Sequence, residues 1–211
     1  HLNALQESVQ PEGDTDYSNL IWKIQNLTQE LSIPIIIKET GAGISLEEAK
    51  ILEAAGVAGI DVAGVGGTSW AAVEYFRAKA HQDDFRQRMA ETFWDWGIPT
   101  AVSLVEAGQS TNLPIVASGG IRSGIDTAKA LALGASLTSA TFPFLEPATK
   151  GSEDVKKVLQ SLIGEVRNAM FLVGADSIQK LQNVPVVLTG KTAEWLKIRG
   201  FKPEDYSRKK M

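Results

Sequence analysis

The chain has 211 residues, of which 44% are hydrophobic and 22% charged, a composition typical of one large soluble domain or of a piece of a larger one. The formal net charge of -4 argues against nucleic acid as the main partner, because surfaces that bind nucleic acids are usually basic. The absence of cysteine excludes disulfides, thiolate catalysis and cysteine-based metal sites and agrees with a cytoplasmic protein, and no apolar run approaches the roughly 20 residues of a membrane span.

The first seven residues, HLNALQE, concentrate polar groups suited to catalysis. On a strand, His1 and Asn3 would point to the same face, and Gln6 and Glu7 would lie in the loop that follows. One carboxylate with waters and substrate phosphates is the usual Mg²⁺ arrangement, although a Gln-Glu pair is also a common surface feature. Because the segment stands first and lacks an initiator Met, we expect part of the site to lie outside this chain.

Short apolar runs, each followed by glycine and then by a helical stretch, recur along the chain. The predicted strands cover residues 33–37, 59–62, 114–117 and 136–142. The predicted helices cover residues 46–55, 125–133 and 152–173, with one or two more within residues 70–96. Ser45 and Glu48 form a predicted capping box at the first of these helices. Apolar strands without alternation, separated by amphipathic helices, indicate a parallel sheet that is buried on both faces.

The unusual residues all fall at the carboxyl ends of the predicted strands, where (β/α)8 barrels and doubly wound sheets have their active sites. About four β/α units are recognisable, and a closed barrel needs eight. We therefore predict an α/β protein, the C-terminal half of a (β/α)8 TIM barrel, from the end of strand 4 through strand 8 and the C-terminal helices. Such a half would expose its sheet edges and an apolar inner face. We assign residues 1–182 to the barrel and residues 183–211, ending in a solvated RKK segment, to a C-terminal extension of the same domain.

The segment ASGGIRSG, residues 117–124, is typical of an anion site. Its paired glycines, Gly119 and Gly120, let the backbone approach a ligand, and their N–H groups with the following helix N-terminus attract negative charge. Arg122 adds a cation. The next strand ends in TSAT, residues 138–141, whose small side chains leave further N–H groups accessible for a barrel phosphate site. The alternative is a tight turn that binds no ligand.

Two further strand ends are candidates. Lys38 follows an apolar run, so its ammonium needs an anionic partner, either Glu39, Asp61 or a ligand such as a flavin. The segment GVGGTSW, residues 64–70, offers the Thr68 hydroxyl and the Trp70 ring but lacks the strand–GxGxxG–helix context of a dinucleotide fingerprint. Its alternative interpretation is a glycine-rich turn with the tryptophan in the core.

Taken together, the segments HLNALQE, IIIKETGAGIS, GIDVAGVGGTSWAAVEYFR, ASGGIRSGIDTAKALALGA and LTGKTAEWLKIRGF resemble the type 2 isopentenyl-diphosphate isomerases, which are FMN-dependent (β/α)8 barrels. The resemblance covers almost the whole chain and begins midway through such a barrel. It implies interconversion of isopentenyl and dimethylallyl diphosphate, a small-molecule diphosphate substrate, with reduced FMN as acid and base. It also implies NADPH or NADH to reduce the flavin, Mg²⁺ on the diphosphate, and a homo-oligomer, a tetramer or octamer.

The resemblance also implies roles for individual residues. His1 and Asn3 would bind the diphosphate, Gln6 would be catalytic beside the allylic carbon, Glu7 would hold Mg²⁺, and Trp70 would wall the substrate pocket. The residues expected to bind FMN are Lys38 and Thr68 at the ring and ribityl chain, and Gly119, Gly120, Ile121, Arg122, Ala140 and Thr141 at the phosphate. The chain departs from many relatives at Ser139, where they carry a glycine.

Two alternatives stay open. A flavin-dependent α-hydroxy-acid oxidase has a similar phosphate loop, but it needs a His-Gly-x-Arg base motif after the strand ending at Asp61. This chain has Gly-Gly-Thr-Ser-Trp there, and its only other histidine, His81, lies in a charged stretch that we predict to be surface. The second alternative is an inactive barrel fragment that binds at most phosphate or partner chains.

Overall fold

The computed structural model describes residues 1–209 and contains one parallel sheet with four strands in sequential order. The strands are β1 (Ile36–Lys38), β2 (Gly59–Asp61), β3 (Ile115–Ala117) and β4 (Leu137–Thr138). Adjacent parallel strands joined by helical crossovers are the repeating unit of α/β sheets and barrels, which confirms the predicted β/α architecture.

Twelve helices surround the sheet within the described residues. In the first half of the chain they are α1 (Ala4–Val9), α2 (Leu20–Glu30), α3 (Leu46–Ala54), α4 (Trp70–Ala80), α5 (Asp84–Thr92) and α6 (Thr100–Ser110). In the second half they are α7 (Gly124–Ala132), α8 (Phe142–Lys150), α9 (Ser152–Leu172), α10 (Ile178–Gln182), α11 (Gly190–Ile198) and α12 (Pro203–Ser207). No helix in this part of the chain is long and apolar enough to cross a membrane.

The two faces of the sheet differ. Ile37, Ile60 and Ile115 lie in register on one face and are buried in the helix-covered core. The opposite face carries Ile36 and Leu137, which are 56% and 63% exposed. Strand side chains alternate between faces, so this second face is the inner face that a closed barrel would cover. The open inner face agrees with the expectation for half a barrel.

Several predicted boundaries shift. The predicted strand 33–37 is observed at Ile36–Lys38, and the predicted strand 136–142 shrinks to Leu137–Thr138 because α8 begins at Phe142 with proline in its first turn, a favoured position. The capping box of Ser45 and Glu48 is confirmed, and so are the paired helices within residues 70–96.

The opening segment is not a strand followed by a loop, so that prediction is wrong. Residues 1–3 lie along the free edge of β1, where the Leu2 N–H donates to the Lys38 carbonyl over 2.7 Å. Helix α1 begins at Ala4, which puts Gln6 and Glu7 on a helix.

The C-terminal residues pack on the same core. Leu196 is fully buried, and Arg199 donates to the buried carboxylate of Glu106 on α6. The predicted solvated end is wrong for Lys209, whose half-buried ammonium donates to the carbonyls of Ala132 and Gln182; the burial lowers the pKa of Lys209. Lys210 lies outside the described residues. The division at residues 182 and 183 stays a prediction.

Candidate functional site

A cavity of about 530 Å³ opens at the carboxyl ends of the four strands. It brings together most of the residues that the sequence singled out. The lining residues among those predictions are His1, Lys38, Thr68, Trp70, Gly119, Gly120, Ile121, Arg122, Ala140 and Thr141. Asn3, Gln6 and Glu7 are the predicted site residues that do not line it.

Two of the segments that line this cavity contain backbone amides without a protein acceptor among residues 1–209. The N–H groups of residues 119–121 and 140–142 all belong to cavity-lining residues, and within residues 1–209 none of these six donates to a protein acceptor. Ile121 is buried, Gly119, Gly120 and Ala140 are half-buried, and Thr141 and Phe142 are exposed. Backbone donors without a protein acceptor at the wall of a cavity are available to an anion. We call these six amides the amide cradle. It is drawn from the ends of β3 and β4, the two strands predicted to share the phosphate.

Three amides at the start of α7 are already paired, which differs from the expectation of a free helix N-terminus. The amides of Arg122 and Ser123 donate to the Asp126 carboxylate over 3.1 Å, and the Gly124 amide donates to Glu165 on α9 over 2.5 Å. Burial works to raise the pKa of Asp126, but the Ser123 hydroxyl and these amides outweigh it and lower that pKa. The protein's own carboxylates therefore occupy this helix N-terminus.

Close backbone contact between two glycine loops shapes the cradle. Gly119 and Gly120 have φ of 93° and 83°, in the left-handed region that favours glycine. A Cβ on Gly119 would lie 2.1 Å from the Gly64 carbonyl oxygen, and a Cβ on Gly120 would lie 2.5 Å from that of Gly66. Arg122 joins the same loops, since its guanidinium donates to Gly66 over 2.8 Å. Side chains at these glycines would force the loops apart.

Lys38 reaches the cavity without a carboxylate partner among the described residues. Its ammonium donates to the Glu39 carbonyl over 2.5 Å. The Glu39 carboxylate instead accepts the backbone amides of residues 40–43, and burial raises its pKa against the effect of those bonds. The Asp61 carboxylate accepts the Ser118 hydroxyl. The two intramolecular partners considered for Lys38 are thus engaged elsewhere, which favours the ligand interpretation.

The amide side chains of the opening segment bind each other. The Thr40 hydroxyl donates to Asn3 over 2.7 Å, Asn3 donates to Gln6, and Gln6 donates to Glu74 on α4 over 3.0 Å. Asn3 is 9% exposed. These side chains form one continuous network beside the cavity.

Glu74 belongs to this network and was not among the residues predicted from the sequence. Its side chain is 2% exposed, and both of its oxygens accept from Arg77 over 3.0 Å. Arg77 is in turn paired with Glu12 over 2.8 Å. The signal was available, because an acidic residue inside the apolar stretch WAAVEYF with arginine three positions on predicts a buried, paired carboxylate.

Glu7 lies apart from this network. One of its oxygens accepts the Gln10 side chain over 2.9 Å and the Asp14 amide over 2.7 Å. The other has no hydrogen-bond partner in the described part of the chain. Residues 1–209 contain no group of three or more His, Asp or Glu side chains arranged to hold a metal. The assignment of Glu7 to Mg²⁺ stays a prediction.

The chain was compared with known proteins. Residues 5–187 match the model of the FMN-dependent dehydrogenase family. The isopentenyl-diphosphate delta-isomerase of Pyrococcus furiosus is 55% identical over 94% of this chain and 50% of that protein. The enzymes of the same name from Methanosarcina acetivorans and Methanothermobacter thermautotrophicus are 53% and 50% identical, over 98% and 99% of this chain and 56% and 58% of those proteins.

Solved structures agree on the fold. Mandelate oxidase matches with a TM-score of 0.55 and 25% identity, over 77% of this chain and 42% of that chain. A mandelate oxidase variant with a monooxide FMN adduct gives the same TM-score and identity over 77% of this chain and 44% of that chain. The chain spans about half the length of the curated relatives that it matches. It belongs to the FMN-dependent dehydrogenase family and forms part of a TIM barrel of that family.

Proposed function

We propose that this chain carries the flavin- and substrate-binding part of an enzyme that interconverts isopentenyl and dimethylallyl diphosphate. The observation that carries the proposal is the cavity in which the amide cradle, Lys38, Trp70 and His1 meet. The names of the relatives at 50–55% identity support the reaction. The match covers about half of the length of those proteins, and the activity is proposed for these residues within a complete barrel.

The residues present fit FMN. A phosphate needs several donors and positive charge, which the amide cradle and Arg122 supply. In the described part of the chain the ammonium of Lys38 has only a carbonyl partner, and it favours negative charge on a bound ring. When bound, reduced FMN would supply the acid that adds a proton at one carbon of the substrate and the base that removes a different proton from another carbon. The protein then needs no acid–base pair of its own, and the sequence offers none.

The opening segment fits a diphosphate. The oxygens of Asn3 and Gln6 already accept hydrogen bonds, so the groups these amides have left to offer are N–H donors, which suit an anion. Gln6 would lie beside the allylic carbon, held by Glu74. His1 and Trp70 would line the substrate pocket, where the indole face favours positive charge developing on the substrate.

Mg²⁺ fits only together with substrate. The single carboxylate of Glu7, with one oxygen unpartnered in the described residues, completes a magnesium site when diphosphate oxygens and water provide the other ligands. We assign reduction of the flavin to NADPH or NADH and the native state to a homo-oligomer on the family resemblance.

The oxidase alternative is disfavoured by chemistry. The mandelate oxidase structures share the fold, yet GGTSW replaces the base motif after β2, and His81 is exposed at the end of α4, outside the cavity. A hydroxy acid would therefore find no histidine base at this strand end.

The test is isomerisation in D2O. The protein is incubated anaerobically with isopentenyl diphosphate, Mg²⁺ and dithionite-reduced FMN, and products are followed by NMR. We expect dimethylallyl diphosphate with deuterium in a methyl group. Oxygen-dependent oxidation of mandelate without isomerisation, or bound flavin with no isomerisation, would overturn the proposal.

A further inference from the structure

One short segment ties together the loops that form the candidate site. Residues 97–100 lie between α5 and the start of α6. The Ile98 amide donates to Ala42 in the loop after β1 over 2.7 Å, and the Ile98 carbonyl accepts the Val65 amide in the loop after β2 over 2.9 Å. The Thr100 amide donates to the Val65 carbonyl over 3.2 Å. None of these four residues lines the cavity. The segment therefore contacts the loops that form the site and not the space in which a ligand would bind.

The side chain of Thr100 extends this connection to the third loop. Its hydroxyl donates to the Gly119 carbonyl over 2.6 Å. The peptide bond between Gly119 and Gly120 is planar and trans, as are all peptide bonds in the described chain. In a trans peptide the C=O and the N–H point in opposite directions. A Gly119 carbonyl that faces Thr100 therefore turns the Gly120 N–H away from Thr100; the Gly120 nitrogen lies next to Gly67, which lines the cavity as Gly120 does.

The Thr100 hydroxyl restrains the peptide bond between two glycines, Gly119 and Gly120. Two successive glycines have the least backbone preference of any pair, so a Gly-Gly peptide is free to rotate unless something holds it. The Gly120 amide has no protein acceptor among residues 1–209 that would hold it from its own side. The Thr100 hydroxyl and the weaker contact of Arg122 with the Gly120 carbonyl, at 3.4 Å, hold this part of the loop by hydrogen bonds.

We infer that Thr100 is a positioning residue that orients the Gly120 amide toward the phosphate of bound flavin. The inference rests on the proposed FMN site. Thr100 does not touch the cofactor; its hydroxyl lowers the entropy that the loop loses on binding an anion, which is how preorganisation raises affinity. Loss of the Thr100 hydroxyl must therefore weaken binding of the flavin phosphate and leave binding of the flavin ring unchanged.

The experiment compares FMN with riboflavin, which lacks the phosphate. The dissociation constants of both are measured by quenching of flavin fluorescence, and their ratio isolates the phosphate. Thr100→Val keeps the shape of the side chain and removes the hydroxyl, and we expect it to lower the preference for FMN about tenfold, the effect of one lost ordering hydrogen bond. Thr100→Ser keeps the hydroxyl and should retain the preference of the unchanged protein.

Thr111→Val is the matched control. It removes a hydroxyl–carbonyl bond of 3.0 Å, to Ala107, at the other end of α6, and should leave the preference unchanged. The backbone of Gly64 packs against Thr100. If the Thr100→Val protein does not fold for that reason, Thr100→Ala is measured in its place. An unchanged preference, or an equal loss of FMN and riboflavin, would overturn the inference. Equal dissociation constants for FMN and riboflavin in the unchanged protein would instead contradict the proposed FMN phosphate site itself.

Discussion

The two ends of the candidate site are built differently. The amide cradle consists of backbone donors without an acceptor among residues 1–209, held by glycine loops in close contact. The opening segment consists of side chains that already bond to one another, from Thr40 through Asn3 and Gln6 to Glu74. The first end is ready for an anion before any ligand arrives. The second can bind only by adding to, or exchanging, hydrogen bonds that it already makes.

The largest expected effect is at the cradle. Gly119→Ala would put a methyl group 2.1 Å from the Gly64 carbonyl oxygen at a residue with φ of 93°. The loop cannot keep its shape, so we expect FMN affinity to fall about 100-fold or more, together with lower thermal stability. Fluorescence titration and thermal unfolding measure both. FMN affinity within about twofold of the unchanged protein would contradict a cradle fixed by backbone contact.

Gly108→Ala is the control for that substitution. Gly108 lies on α6, a Cβ there would meet no heavy atom within 4 Å, and the residue is exposed. Alanine in a helix interior is favoured over glycine by roughly 0.5–1 kcal/mol. This variant should bind FMN normally and unfold at the same or a slightly higher temperature.

The second-largest expected effect is on the isomerisation rate, and it distinguishes the opening segment from the amide cradle. Glu74→Gln removes the charge that pairs with Arg77 and, in either orientation of the new amide, sets its NH₂ against the Arg77 guanidinium, which loosens the anchor of Gln6. We expect the isomerisation rate to fall about tenfold to 100-fold while FMN affinity stays the same, because only the side-chain network is disturbed. The measurements are steady-state rates with dithionite-reduced FMN and a flavin titration.

Glu12→Gln is matched to it, since Glu12 is the other carboxylate on Arg77 and is 60% exposed. Exposed ion pairs contribute little, so the rate should not change. Equal losses in the two variants would mean that Arg77, and not Gln6, transmits the effect.

The smallest effect tests whether α7 is already capped. The pKa of Asp126 is lowered in the folded protein, so its contribution to stability is present above the unfolded value of about 3.9 and is lost as pH falls below it. Asp126→Asn should lower the unfolding temperature by about 2–4 °C at pH 7, and the deficit should shrink below about pH 4. Circular dichroism melts across pH measure this. A deficit that does not depend on pH would show that Asp126 is not an ionised cap.

The backbone end was the more predictable from sequence. Paired glycines and the small residues before Thr141 predict accessible backbone amides without any knowledge of side-chain contacts. The residues that carry these amides line the cavity. The capping box of Ser123 and Asp126 at the start of α7 was readable from its local spacing but was not predicted. What the pattern could not predict was that Glu165 also bonds there, because it comes from a helix about forty residues later in the chain. Contacts between distant segments leave no local signal.

The side-chain end was predicted by residue type but not by geometry. Asn3 and Gln6 were assigned to a strand and a loop, and the structure has Gln6 on α1, bonded to a glutamate 68 positions away. Thr100 escaped notice for the same reason, since its function depends on a carbonyl in another β/α unit. Hydrogen-bond partners far apart in the chain become visible only in the folded protein.

The most direct test of the account asks which amides meet the flavin phosphate. In a titration of ¹⁵N-labelled protein with FMN, we expect the largest amide shifts at residues 119–121 and 140–142, and we expect riboflavin not to produce them. Largest shifts at Ser123 and Gly124, or the same shifts with riboflavin, would contradict the account.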